Sequence, residues 1–368
     1  MRTRRIAVAI ALVSAVTASG LLTACDPKTG TGAAASASPT QAASGGASAS
    51  TPTGGTGGPG GTGGASGTGG TSGGSTGGST GGRTGAPVSV NGTGGTMLTI
   101  SNGTTKVVMN GAVVDFGVVV RDLAWSPDGR RAAFIDGNGN LDTANADGSG
   151  RVVVARNPGG QTWSHPAWQV VKADPGYGNM PRNNLFFVAG SGAGSVLMEV
   201  PTTGGKPARL SLAGEAGSTA APLPQTGNTW INGSGTTNGT TVYANTGTGD
   251  VYIRDDYIRQ QGSVMTNGSE PAPIPGQVDE GVVFVRSVGG HDHIFVEHFG
   301  TSPAGSSAAG TTAVDITPHA TTDYTEPAVS PDGRTVAVRT PNGVAVLPID
   351  GSAAPKLISS VPGLPAYR

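Results

Sequence analysis

One cysteine, Cys25, is the whole thiol inventory of this 368-residue chain, so no disulfide within it can hold a fold together. No basic run or stripe is present and the formal net charge is −1, which removes the electrostatic footprint of a nucleic-acid binder. After Leu22, no segment approaches the roughly 18 uninterrupted apolar residues of a membrane-spanning helix. Helical periodicity and helix caps are nearly missing. Residues 87–368 lack a Gly-x-Ser-x-Gly nucleophile elbow as well, since "GSGAGS" at Gly190 lies between strand-like runs. Aromatic residues make up only 5% of the chain, and all of them follow Ala86, so only the later part can build a core.

What is present begins with an address. Arg2, Arg4 and Arg5 precede the uncharged run of residues 6–22, the layout of a secretion signal. Leu22-Thr23-Ala24-Cys25 resembles the bacterial lipobox, in which the cysteine becomes the lipidated first residue of the mature protein. The alternative is an ordinary cleavage site beside an incidental thiol. The lipobox reading makes residues 1–24 a lipoprotein signal and places at least two acyl chains on Cys25, enough for stable anchoring. It implies a cell-membrane location on the extracytoplasmic face. Residues 26–86 contain no Val, Ile, Leu, Met or aromatic residue and are mostly Gly, Ala, Ser and Thr. Nothing there offsets the entropy of ordering, so residues 25–86 read as a lipidated cysteine followed by a flexible linker.

Residues 87–368 hold a repeat. "AWSPDG" at Ala124 and "AVSPDG" at Ala328 each place Ser, Pro, Asp and Gly where a tight turn uses them: Pro127 and Pro331 fix φ, Asp128 and Asp332 bond locally, and Gly129 and Gly333 accept positive φ. An apolar run, a polar break, a second run and an Asp-Gly-Ser follow in both copies, the latter at Asp147 and Asp350. Degenerate copies fall at "HPAWQV" (His165), "AAPLPQTG" (near Ala221) and "EPAPIPG" (Glu270). Aligning Ala124, Ala167, Ala221, Ala272 and Ala328 gives units of about 40 to 55 residues, the length of a four-stranded blade. Eight Asn-Gly pairs supply hairpin turns. The expected architecture is all-β, a β-propeller of four-stranded blades, with six favoured over five or seven. The strands in "MLTISNGTTKVVMN" either complete the last blade or belong to a sixth.

The pattern "AWSPDGRRAAFID…ANADGSG", with "PAVSPDGRTVAV…LPIDGSA", resembles the repeat of the TolB-type, WD-repeat-like β-propellers. Six blades are what the resemblance implies, as is a non-catalytic role through protein contacts within the cell envelope. No counterpart of the additional N-terminal domain of TolB itself is evident.

Three polar constellations are candidate sites. His291, His293 and Glu297 share one face of a possible strand, with His298 on the other, and His-x-His spacing can ligate a metal; a polar strand entrance is the plainer reading. Asp136, Asn138, Asn140, Asp142 and Asp147 match a calcium-loop template, although Leu141 stands where that loop needs Gly and the repeat assigns the segment to a hairpin. Trp163, His165 and Trp168 form either a sugar-stacking platform or core packing. No motif calls for a cofactor. Two functions compete: a scaffold for an envelope protein partner, and a glycan-binding or polysaccharide-lyase-like propeller. The latter class would need His, Arg, Gln and a metal in the channel, for which the chain offers His165, His291, His293, His298 and His319.

Replacing Cys25 by Ser is expected to move the protein from the membrane fraction to the medium, as read by immunoblotting of cell fractions.

Overall fold

The computed structural model describes residues 90–176, 180–214, 223–255, 261–275, 281–298 and 312–368. The signal, Cys25, the linker and Ala221 lie outside these residues. The first described strands are β1 (Leu98–Ser101), β2 (Lys106–Met109) and β3 (Ala112–Asp115). A first complete blade follows, β4 (Arg121–Trp125), β5 (Arg131–Ile135), β6 (Leu141–Asn145) and β7 (Val152–Ala155). The second is β8 (Trp163–Val171), β9 (Arg182–Ala189), β10 (Val196–Pro201) and β11 (Ala208–Arg209). The third has β12 (Ala213–Gly214) added in parallel outside β13 (Asn228–Gly233), β14 (Thr241–Asn245), β15 (Asp250–Asp255) and β16 (Gln261–Asn267). The fourth is β17 (Ser269–Pro273), β18 (Gly281–Val288), β19 (His291–His298) and β20 (Val314–Asp315). The fifth is β21 (Thr325–Val329), β22 (Thr335–Thr340), β23 (Gly343–Pro348) and β24 (Lys356–Ser359). Finally β25 (Leu364–Tyr367) pairs antiparallel with β1, Leu98 opposite Tyr367, so that one blade is built from both ends of the domain. The inner strands β4, β8, β13, β17, β21 and β25 contact one another in that order, and β25 returns to β4. The described residues therefore form a closed six-bladed β-propeller.

The second strand of a blade is apolar along its length because its two faces belong to different seams. In β5, Ala133 and Ile135 pack with Trp163, Leu185 and Phe187 of the second blade, while Phe134 turns to Val107, Met109 and Phe116 on the other side. In β9, Leu185 and Phe187 face backward and Phe186 and Val188 face forward to Ile231 and Tyr243. Val282 and Phe284 of β18 join Val242 and Val251, and Val283 and Val285 join Val336 and Val338. Ala337 and Val344 complete the circuit against Leu98, Ile100 and Val108. One apolar cluster fills each seam, which explains runs such as "AAFI" and "LFFVA" that lack the alternation of a one-sided sheet.

The twice-written turn joins the inner strand to the second strand. Ser126 Oγ donates to Asp128 Oδ1 at 2.6 Å and accepts the Arg131 amide, while the Gly129 amide, at φ 65°, donates to the Ser126 carbonyl. Ser330, Asp332, Gly333 and Thr335 repeat this network bond for bond. These serine hydrogen bonds hold the Asp128 and Asp332 carboxyls below the usual range. The third blade departs from the alanine alignment: its inner strand is β13, and not the segment at Ala221, because a bulge between Asn228 and Trp230 and a Gly233 packed on the Trp168 backbone replace the Pro-Ala pattern.

Deleting residues 364–368 would leave β1 as an unpaired inner edge and expose the Leu98–Ile100 seam. The expected result is a fall in melting midpoint of more than about 10 °C with loss of near-ultraviolet circular dichroism.

Candidate functional site

The six inner strands enclose an axial cavity of about 590 Å³. Its wall is aromatic on Trp125, Trp168, Trp230 and Tyr367, and includes the small or cyclic Ala124, Ala167, Ala272, Ala328, Pro273 and Pro327. The alanines that recur in the sequence sit here because strands converging on an axis leave room for little more than a methyl group. Each indole N–H is already bonded within the wall: Trp125 to Thr99 Oγ1, Trp168 to the Ala124 carbonyl and Trp230 to the Pro271 carbonyl, at 3.0, 3.1 and 3.1 Å. The three indoles therefore offer the cavity carbon and π-electrons, and no free N–H.

Four of these strands, β4, β8, β17 and β21, carry a bulge just before the alanine. At the bulge stand Asp122, His165, Glu270 and Glu326, all left-handed with φ of 54°, 50°, 50° and 52°. Such a conformation costs a side-chain-bearing residue on the order of 1–3 kcal/mol, and proline at the next position further restricts His165, Glu270 and Glu326. Neighbouring strands secure it. The His165 amide donates to Asp122 Oδ2 at 3.1 Å, and the Glu326 amide to Glu270 Oε2 at 2.6 Å. Glu326 Oε1 accepts from Arg339 Nη1 at 2.9 Å, while its Oε2 is buried without a partner. The His165 ring lies on Trp230, centroids 4.0 Å apart, with Nδ1 against Ser164 Oγ.

Burial dominates the electrostatics of this ring. It pushes Glu270 up to about 7 against the amide bond that favours its charge, with the Glu326 carboxylate adding to the rise. Glu326 is also raised by burial, against Arg339, and the Asp122 charge contributes in the same direction. Burial lowers His165, opposed by Asp122, and so keeps the imidazole neutral. Asp122 and His165 line the cavity; Glu270 and Glu326 stand beside them at the same end. At the other end lie Pro127, Asp128, Gly129 and Pro331 of the repeated turns. There the Arg368 guanidinium lies 5.2 Å from the Trp125 ring centre and donates to the Gly129 carbonyl.

The remaining sequence candidates fall elsewhere. His293 is buried in β19 with Nδ1 2.8 Å from Asp315, whereas His291 is half-exposed at the strand entrance, 3.2 Å from Asp323, and Glu297 is buried farther along. His298 ends the strand and His319 lies exposed on a loop. In the calcium-like segment, Asp136 Oδ1 accepts the amides of Asn138 and Asn140, closing the β5–β6 hairpin. The position of a cation is taken by Arg151, whose Nε is 2.6 Å from Asp142 and whose Nη2 is 3.6 Å from Asp136. Asp147 instead caps Ser149. Burial pushes Asp142 up to about 6. Among the described residues no three His, Cys, Asp or Glu side chains converge to hold a metal. The sugar platform is not formed either: Trp163 is buried against Phe187, and His165 stacks on Trp230 instead of with Trp163 and Trp168.

Asp122, Glu270 and Glu326 escaped the sequence reading. The signal was available in "EPAP" and "EPAV", where an acidic residue takes the place of His165 in "HPAW".

A closed ring of six four-stranded blades around an axial cavity defines this chain as a six-bladed β-propeller. No family model matches it, and no curated protein does. Among solved structures it is similar to the "putative TolB" of Agrobacterium tumefaciens, with 16% identity and a TM-score of 0.45 over 74% of this chain and 97% of that one. It is also similar to the Cps50 (Swd1) β-propeller domain of Myceliophteria thermophila, with 10% identity and a TM-score of 0.41 over 75% and 89% of the two chains. For the tricorn protease the values are 14% and 0.39, over 71% of this chain and 26% of that one. The blade count and the channel rest on the strand pairing of this chain itself.

Glu270 supplies a pH test. Its folded pKa lies above its unfolded value, so the fold carries a penalty that is absent below about pH 4 and grows as pH rises through 7. Glu270→Gln is expected to raise stability by about 1–2 kcal/mol at pH 8 and to have little effect at pH 4.5, as measured by denaturant titration at both pH values.

Proposed function

We propose that this chain is a non-catalytic binding scaffold that engages a protein partner of the cell envelope, held at the extracytoplasmic face of the cell membrane by lipid on Cys25. The observation that carries the reading is the axial cavity, a preformed concavity with an aromatic wall and polar groups gathered at its ends. The other polar clusters are consumed internally: His293 by Asp315, Asp136 and Asp142 by Arg151. A rigid ring needs no rearrangement to present such a site, which limits the entropic cost of binding. The linker of residues 25–86 supplies distance between the lipid and the propeller. The same aromatic wall, with His165 on Trp230, is what favours the second reading, a glycan-binding or lyase-like propeller.

The test is a cross-linked pull-down from native envelope extracts using the full chain carrying Cys25→Ser. A saturable protein partner, lost when excess unlabelled propeller is added, is the expected result; recovery of glycan without protein would replace the scaffold reading with the second one.

A further inference from the structure

We propose that the end of the channel lined by Asp122 and His165 receives the cationic head of a lysine or arginine side chain presented by the bound partner. This deepens the scaffold reading and rests on it. The cavity supplies the space and the wall: its volume falls in the range of ligand pockets, and its three indoles have spent their N–H donors elsewhere. Aromatic faces without donors attract a cation through their quadrupole and offer nothing to an anion.

Charge is distributed unevenly around the same end. Glu270 feels the charge of Glu326, and Glu326 that of Asp122, and Arg339 is the cation paired to them, through Glu326 Oε1. Burial, which also raises Glu270 and Glu326, lowers His165, so the imidazole does not offset Asp122, the acid that lines the cavity. Glu326 itself does not line the cavity, and its Oε2 is buried without a hydrogen-bond partner among the described residues. The opposite end of the cavity shows the preference of this wall independently. The Arg368 guanidinium rests over Trp125 and is fixed by the Gly129 carbonyl, with Asp128 beside it in the lining. The Asp122 end presents a carboxylate and the same aromatic wall, without such an occupant among the described side chains.

The experiment uses the tryptophan emission of the full chain, since three of its four indoles line the channel. The probes are acetyl-Ala-Pro-Arg-Pro-Ala-amide and the same peptide with citrulline, a neutral isostere of arginine. The arginine peptide is expected to bind saturably and at least about tenfold more tightly, equivalent to about 1.4 kcal/mol. Asp122→Asn retains an acceptor for the His165 amide and a residue tolerant of positive φ, and should shrink that preference to less than about threefold. Glu326→Gln should act in the same direction, and both variants are checked for an unchanged circular dichroism spectrum. Equal affinity for the two peptides overturns the proposal, as does saturable binding of cellohexaose with no peptide binding. An envelope partner recovered equally by wild type and Asp122→Asn would also overturn it while leaving the scaffold reading intact. Discrimination between the peptides with no partner recovered would support the site and remove the scaffold reading.

Discussion

Each blade of this protein is apolar on both faces and can bury neither alone. Phe134 needs the blade before it, Ile135 the blade after it, and the same division is repeated in Phe186 against Phe187 and in Val282 against Val283. The requirement is satisfied only by a ring, because any open stack would leave two apolar faces in water. Closure is achieved by β25 lying against β1, which brings residues more than two hundred positions apart into one blade. An apolar seam of this kind is worth several kcal/mol at ordinary transfer values, so the ring gains from its last seam as much as from any other.

The channel follows from that closure. Six strands brought together around an axis must keep their inward side chains small, hence alanine at the equivalent positions, or must lay flat rings along the wall, hence Trp125, Trp168 and Trp230. The strained residues at the strand starts belong to the same geometry. Bulges mark the starts of β4, β8, β17 and β21, and the carboxylate of one strand holds the amide of the next, as between Asp122 and His165 and between Glu270 and Glu326. A structural device thereby gathers acidic groups at one end, and their position gives the cavity its polarity.

The Ser-Pro-Asp-Gly turn made the blades legible in the sequence. It is local, its four residues carry the hydrogen-bond network themselves, and both full copies survive. Blade spacing and the apolar second strands followed from it. The third blade was less legible because Trp230 and Ile231 replace the Pro-Ala pattern and a bulge shifts the register. "LPAY" at the C-terminus was missed for a different reason: its partner is β1, and no local signal announces a pairing at such separation. The site was hardly legible at all. Metal-like spacings in "HDHIFVEH" and "DGNGNLD" drew attention, but His293 and Asp142 spend their charge on Asp315 and Arg151. Asp122, Glu270 and Glu326 look unremarkable in isolation and acquire meaning only when the ring sets them side by side.

The inner strands are also edge strands, and their prolines have a consequence for what can enter between them. Pro166, Pro271, Pro273, Pro327 and Pro365 remove main-chain donors from four of the six edges that face the axis. A visiting peptide in extended form therefore meets an interrupted ladder at those four strands, which disfavours its addition there as a further β-strand. At those strands recognition falls to side chains, which favours selection by chemistry where an open edge would be promiscuous by backbone.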